Sequence, residues 1–196
     1  MEQKEKRLIR RIKKGDHQAF AEMVNHYKNG VYIICLRMTG NREEAEDLSQ
    51  ETFLRAFRSI DQFDIDRKFS TWLFRIATNL SIDTLRRKKA KLSLDAEVPG
   101  TEGLTLEAVL ADQQPLPDER LMQAETERRV QSGIERLPDK YRIAVVLKYV
   151  EELSLKEISE IMDIPVATVK TRIHRGREML RRYLVASGGD GHDVLR

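Results

Sequence analysis

The sequence predicts an all-α protein: two helical domains joined by a flexible acidic linker, the second containing a helix-turn-helix. Three observations lead there. Apolar residues recur three and four positions apart in segment after segment, and no alternating, strand-like run stands out. Between Ala90 and Arg120 the stripe fades, Pro99, Gly100, Gly103, Pro115 and Pro117 appear, and acidic residues dominate. A stretch of this length without clear structure is unusual inside one compact domain and marks a boundary. Finally, residues 151–184 read as two helices joined by a tight turn. The expected division is 1–91, a linker over 92–117, a second domain over 118–184, and a disordered tail over 185–196.

Taken in order, the chain begins with a short basic amphipathic helix to Lys14, with Leu8, Ile9 and Ile12 opposite Arg7, Arg10, Arg11, Lys13 and Lys14. Gly15 ends it and Asp16 caps the next. That helix carries Phe20, Met23, Val24, Tyr27 and Val31 and runs to Met38, with a break expected at Gly30 and closure at Gly40. Asn41 opens a further helix, with Glu44 at the capping-box position. Ala45, Leu48, Thr52, Phe53, Ala56 and Phe57 form its core stripe, and Glu43, Glu46, Asp47, Gln50, Glu51, Arg55 and Arg58 its outer face. That acidic face reads either as solvated surface or as a docking face for a basic partner.

Residues 63–69 read as a loop, and Ser70 as the cap of a long helix whose inward stripe is Trp72, Leu73, Ile76, Ala77 and Leu80. Arg75, Thr78, Asn79 and Asp83 are expected on the other side. The helix ends in Arg86, Arg87, Lys88 and Lys89, followed by Lys91. Cations suit a helix C-terminus, but five in six positions exceed what a cap requires. Beside Phe63, Phe69, Trp72 and Phe74 they look like a nucleic-acid surface. There, aromatic faces stack unpaired bases at about 1–3 kcal/mol each while Lys and Arg follow the backbone; most of these aromatics are expected in the core. The acidic linker reads equally as a solvated tether or as an occupant of a cationic channel before nucleic acid arrives.

A helix over about 118–136 and another from Pro138 lead into the helix-turn-helix. Ser154 and Glu157 form a capping box, with Ile158, Ile161 and Met162 on one face. Asp163, Ile164 and Pro165 make the turn, and proline suits the first turn of the next helix. Val169, Ile173 and Leu180 point inward; Lys170, Thr171, Arg172, His174, Arg175, Arg177 and Arg181 do not. A basic, polar helix held on a capped partner suits the DNA major groove. A basic amphipathic helix on a generic bundle is the plainer alternative.

The bulk composition is less informative. Net charge is only +3 over 196 residues, so charge distribution rather than charge argues for a nucleic-acid partner. The one cysteine, Cys35, lies in an apolar run and reads as a small core residue. It allows no intrachain disulfide, which fits a reducing cytosol. No apolar stretch approaches the roughly 20 residues needed to span a bilayer. The N-terminus has basic residues but no following apolar segment, so neither a signal peptide nor direct membrane insertion is expected. His17 and His26 have no paired ligand set, and neither metal nor cofactor is expected.

Four stretches carry a resemblance: GDHQAFAEMV, NREEAEDLSQETFLRAFRSIDQFD, RKFSTWLFRIATNLSIDTLRRKK, and LPDKYRIAVVLKYVEELSLKEISEIMDIPVATVKTRIHRGREMLR. Together they resemble an extracytoplasmic-function (group IV) sigma factor of bacterial RNA polymerase. The linker piece SLDAEVPGTEGLT is similar to the sigma-W type of Bacillus and its relatives. The likeness covers nearly all of residues 5–184. It implies that 1–91 is sigma region 2 and 118–184 sigma region 4, with the linker replacing the third domain of housekeeping sigma factors. Asp47, Gln50 and Glu51 match contacts to the β′ clamp helices of core RNA polymerase; a β-flap contact is implied as well. Arg67, Lys68, Phe69 and Trp72 match the loop that melts and reads the −10 element, with a non-template base flipped near Asn79. Arg86, Arg87 and Lys88 would hold phosphates. Lys170, Thr171, His174 and Arg175, with Thr168 and Arg172 beside them, match the −35 reading helix, whose site carries an AAC motif. His174 stands where relatives vary. The resemblance further implies a membrane-anchored anti-sigma factor, so that a cytoplasmic protein is held at the inner face of the membrane through that partner.

Two other function classes fit less well. A conventional helix-turn-helix repressor or activator needs a ligand pocket or phospho-acceptor domain, and the N-terminal half shows neither. An enzyme acting on nucleic acid needs a phosphate-binding GxxxxGK[ST], HExxH or clustered carboxylates, none of which appears. The expectation is therefore a non-enzymatic transcription factor.

Overall fold

The computed structural model describes residues 2–95 and 118–186. All regular structure there is helical: α1 (Glu2–Ile12), α2 (His17–Thr39), α3 (Arg42–Ser59), a short 3-10 turn (Ile60–Gln62), α4 (Phe69–Asp95), α5 (Asp118–Glu135), α6 (Asp139–Tyr149), α7 (Leu155–Met162) and α8 (Val166–Ala186). The expected all-α class holds. Of the linker expected over 92–117, residues 92–95 continue α4, and of the tail expected over 185–196, Val185 and Ala186 belong to α8; the rest of both lies outside the described residues.

The boundaries follow local chemistry. The Asp16 carboxylate accepts the Ala19 N–H at 3.0 Å and starts α2. Gly40, at φ 71°, ends it in the left-handed conformation, where a side chain would be strained. The expected break at Gly30 does not occur; α2 is continuous because its hydrogen-bond ladder tolerates a lone glycine. What Gly30 supplies is room, since a Cβ there would lie 2.9 Å from the Glu151 carboxylate and 3.2 Å from the Phe74 ring. Asn41 caps α3 through the Glu44 N–H at 2.9 Å.

Ser70 does not cap α4, which begins one residue earlier at Phe69. The Ser70 hydroxyl is buried, as is that of Thr71, and neither has a partner among the described residues. Thr78 also departs from expectation. It is buried rather than outward, because its hydroxyl returns to the Phe74 carbonyl at 2.5 Å and lets the methyl face the core. Pro165 closes the turn and α8 starts at Val166, as expected; the Pro165 carbonyl accepts the Val169 N–H at 3.1 Å.

In the first domain α2, α3 and α4 pack against one another, with α1 across α2. Ile9, Met23, Ile34, Met38, Leu73 and Cys35 fill the centre at 0–2% exposure. The Tyr27 hydroxyl donates to Glu5 and ties α1 down. In the second domain α8 lies across α5, α6 and α7, sealed by Leu137, Leu147, Ile158, Ile161 and Leu180. The domains touch: α7 lies on α4, while α5 and α6 lie on α2. Arg142 of α6, 6% exposed, donates to the Met38 carbonyl at 2.6 Å, to that of Leu137 at 3.2 Å, and to that of Glu135. One guanidinium thus satisfies carbonyls at the end of α2 and at the α5–α6 turn, which would otherwise be orphaned.

Candidate nucleic-acid interface

The helix-turn-helix forms as the sequence indicates. The Ser154 hydroxyl accepts the Glu157 N–H at 3.3 Å, and the Glu157 carboxylate accepts the Ser154 N–H at 2.9 Å. Burial alone would raise the Glu157 carboxyl, but hydrogen bonds from Lys68 and Ser154 outweigh it and hold it at about 2. Asp163 takes the left-handed conformation at φ 54°, which an aspartate tolerates, and turns the chain into α8. With Val169, Ile173 and Leu180 buried, Lys170, Thr171, His174 and Arg175 are exposed, while Thr168 and Arg172 are half-buried. Gly176 sets how closely α8 meets α6: a Cβ there would lie 2.6 Å from Val145 Cγ2 and 3.3 Å from the Tyr141 carbonyl oxygen. The Arg175 guanidinium beside the Tyr141 hydroxyl holds that phenol below its ordinary range. The Thr171 hydroxyl donates back to the Ala167 carbonyl at 3.1 Å, leaving its methyl and oxygen lone pair facing out.

The loop over 63–68 and the start of α4 form a second polar surface, and most of its aromatics lie in the core, as expected. Phe63, Phe69 and Phe74 are 3%, 2% and 5% exposed, so none offers a face for a base. Phe63 and Phe69 stack with Trp72 at 4.9 and 5.5 Å and with each other at 5.5 Å. They shape the loop by filling it from beneath, and only Trp72, half-buried, retains access to solvent. Arg67 and Lys68 are exposed at the loop's end, Arg67 lying 3.7 Å from Asp64. Asn79, Arg86, Arg87 and Lys88 are exposed along α4; Arg87 donates to Thr84 at 3.1 Å and Lys88 pairs with Glu44 at 2.5 Å.

A third surface is the outer face of α3. Asp47 and Gln50 are exposed, and Glu51 is half-buried with its carboxylate on Arg55 at 2.7 Å. Leu54 belongs with them and was not among the sequence-derived candidates. It is 50% exposed, one of the few large apolar side chains so open among the described residues. It lies seven, four and three residues after Asp47, Gln50 and Glu51, on the same stripe of the helix. An apolar residue in an otherwise polar stripe was the available signal.

Asn79 and Arg86 of α4 and Arg172 of α8 line one cavity of about 540 Å³ between the domains, floored by Ile82, Ile143 and Ile161. The Asp47–Gln50–Glu51 stripe stands on a different helix and shares no part of it. Among the described residues no group of three or more His, Cys, Asp or Glu could hold a metal ion. His17 lies against Phe57 at 5.7 Å and His26 edge-on to Tyr27 at 4.7 Å, both in packing roles.

The Sigma-70 region 2 family profile matches residues 23–91, and the Sigma-70 region 4 profile residues 127–180. The chain is 56% identical over 184 residues to the ECF RNA polymerase sigma factor SigW of Bacillus subtilis (strain 168), covering 94% of this chain and 98% of the relative. It is 35% identical over 178 residues to the ECF RNA polymerase sigma-E factor of Haemophilus influenzae, covering 90% and 93%. Among solved structures, CnrH in complex with the cytosolic domain of CnrY is similar at TM-score 0.67 and 26% identity, over 93% of this chain and 98% of that one. The sigma factor RpoE of Bartonella quintana, in complex with the anti-sigma factor NepR, shares the fold at TM-score 0.64 and 19% identity, over 85% and 96%. With both sigma regions in order and close kinship across nearly its whole length, the chain belongs to the extracytoplasmic-function RNA polymerase sigma factors.

Proposed function

We propose that the chain is a promoter-specificity subunit that binds core RNA polymerase through the α3 stripe Asp47, Gln50, Glu51 and Leu54. In this reading the loop over 63–68 and α4 melt and read the −10 element, with Asn79 beside the flipped base and Arg86, Arg87 and Lys88 on phosphates. α8 reads −35 duplex through Lys170, Thr171, His174 and Arg175, with Thr168 and Arg172 at the edge, and the β flap holds region 4 in place. One observation carries the reading: a capped helix-turn-helix with exposed polar and basic groups shares a chain with a separate cationic helix bearing an exposed asparagine. Base contacts specify and phosphate contacts position, and this chain provides both kinds on two surfaces. A membrane-anchored anti-sigma factor belongs to the same proposal, supported by the CnrH and RpoE complexes. No described helix is long and apolar enough to cross a membrane, so the proposed position at the inner face of the membrane is reached through that partner.

Transcription reconstituted with bacterial core polymerase tests this, on a template carrying an AAC-containing −35 motif and a CGT-type −10 motif. Wild type is expected to give a specific transcript. Arg175→Ala and Asn79→Ala are each expected to reduce it about tenfold or more, the cost of losing one good base contact. Clear core binding with variants as active as wild type would overturn the residue assignments; no core binding would overturn the function.

A further inference from the structure

Residues 64–68 carry the −10 contacts assigned to Arg67 and Lys68, yet packing does not hold them in place. They run between the buried rings of Phe63 and Phe69, and only Ile65 among them is half-buried. Behind them lies a cavity of about 740 Å³, walled by Leu8 and Ile9 of α1, Met23 and Tyr27 of α2, and Ile65 itself. A close-packed interior locks what lies on it, and a hollow does not.

The support comes instead from α1 and the turn that follows it. The Lys13 ammonium donates to the Asp61 carbonyl at 3.1 Å and to the Phe63 carbonyl at 2.7 Å. These carbonyls bracket Gln62, where the 3-10 turn gives way to the loop, so one side chain sets the direction in which the chain leaves the turn. Lys13 itself stands on fixed ground. Its N–H donates to the Ile9 carbonyl at 2.9 Å, Ile9 and Ile12 are 1% and 2% exposed, and the Arg11 guanidinium holds Asp16 at 2.8 Å just beyond. A second tie reaches the middle of the loop, where Lys6 pairs with Asp66 at 3.1 Å and the Asp66 N–H donates to the Asp64 carboxylate at 3.0 Å. Asp66 is open to water, so that tie is weak. Lys13, half-buried and on two carbonyls, is the stronger.

We propose that Lys13 is a positioning residue for promoter reading: it fixes the exit of the 3-10 turn and thereby the place at which the loop presents Arg67, Lys68 and Trp72 to the −10 element. The N-terminal helix then belongs to the reading device although it touches no base. A loop ordered before DNA arrives loses little entropy on binding, and a site held about 1 Å too loosely loses discrimination. The inference rests on the reading of this loop as part of the −10 surface.

The test uses holoenzyme assembled from core polymerase and the full chain as wild type, K13M, K13R or K14M. K14M removes the same charge from the adjacent, exposed residue. Reconstituted transcription is measured on two templates that share the −35 motif; the CGT-type −10 motif is intact in one and scrambled in the other. The readout is the ratio of transcript between them. A merely structural role would not move that ratio, because a smaller folded fraction scales both templates alike. K13M is expected to lower it about fivefold or more, the smaller end of what one good base contact supplies, while binding core polymerase as wild type does. K14M is expected to keep the ratio, as is K13R, whose guanidinium can donate to both carbonyls. A K13M holoenzyme that discriminates as wild type does, a K14M holoenzyme that loses as much as K13M, or a K13R holoenzyme no better than K13M would overturn the positioning role. A wild-type ratio near one, or no transcript from either template, would instead overturn the reading of the loop, and the role of Lys13 with it.

Discussion

Glu151→Gln isolates a strongly perturbed carboxyl at the domain contact. Glu151 lies in the turn between α6 and α7, against Gly30 of α2. Burial alone pushes its carboxyl from the ordinary 4.5 up to about 7. At about 1.4 kcal/mol per pH unit the ceiling on the ionisation penalty is roughly 3 kcal/mol. Water reaching a half-buried group lowers this to about 1–2 kcal/mol. A carboxyl whose folded value is raised favours folding fully below 4.5. That contribution is lost as pH rises toward 7 and is absent above. Glutamine keeps the shape and has no charge to desolvate. Calorimetry of both proteins should therefore show near-equal melting temperatures at pH 4.5. At pH 8 the variant should melt about 2–8 °C higher, at the 2–4 °C per kcal/mol expected for a chain of this size. An equal difference at both pH values, or none at pH 8, would refute the assignment of the shift to a buried carboxylate.

Three further outcomes are expected. Arg142→Met removes the donors to the carbonyls of Met38, Glu135 and Leu137. It should cost about 2–4 kcal/mol in urea unfolding, the range for losing charged hydrogen bonds; a change under 1 kcal/mol would contradict the bolt between α2 and α6. Leu54→Ala should leave melting unchanged but weaken binding to core polymerase about fivefold in a competition assay, since truncating an interface apolar anchor costs on the order of 1 kcal/mol; unchanged affinity would remove Leu54 from the docking stripe. Gly176→Ala drives a methyl into Val145 and the Tyr141 carbonyl. At an overpacking cost of about 1–3 kcal/mol, it should weaken −35 duplex binding while leaving binding to a single-stranded −10 oligonucleotide intact; equal loss of both would place the damage elsewhere.

Much of this architecture is legible in the chain because its signals are local. Asp16, Asn41 and Ser154 cap helices as their positions indicate, and the stripe Val169, Ile173, Leu180 fixes which side of α8 faces out. Failures arose where a neighbour distant in sequence decides. Ser70 looks like a cap until Phe69, drawn into the Phe63–Trp72 cluster, becomes the first helical residue. Thr78 looks outward until its hydroxyl is satisfied within the helix. The contact between the domains left almost no trace. Its ion pairs join residues 50, 88 and 89 positions apart, and each charge alone reads as solvated surface.

Glu157 shows why such a contact escapes local reading. Its place three residues after Ser154 fully accounts for it as a capping residue, so nothing is left over to suggest a second role. Yet the same carboxylate receives Lys68, and its side chain is only 17% exposed. The two roles separate by substitution. Alanine removes both the cap and the pair, so any opening of the domains could be blamed on a frayed α7. Glutamine keeps the cap and removes only the charge, so opening under glutamine is owed to Lys68 alone. Asp163 divides in the same way, with asparagine preserving the left-handed turn and releasing Arg75. The residues that build the helix-turn-helix are thus also those that hold it against α4, and only charge-neutral, shape-preserving changes can tell the fold from the contact between the domains.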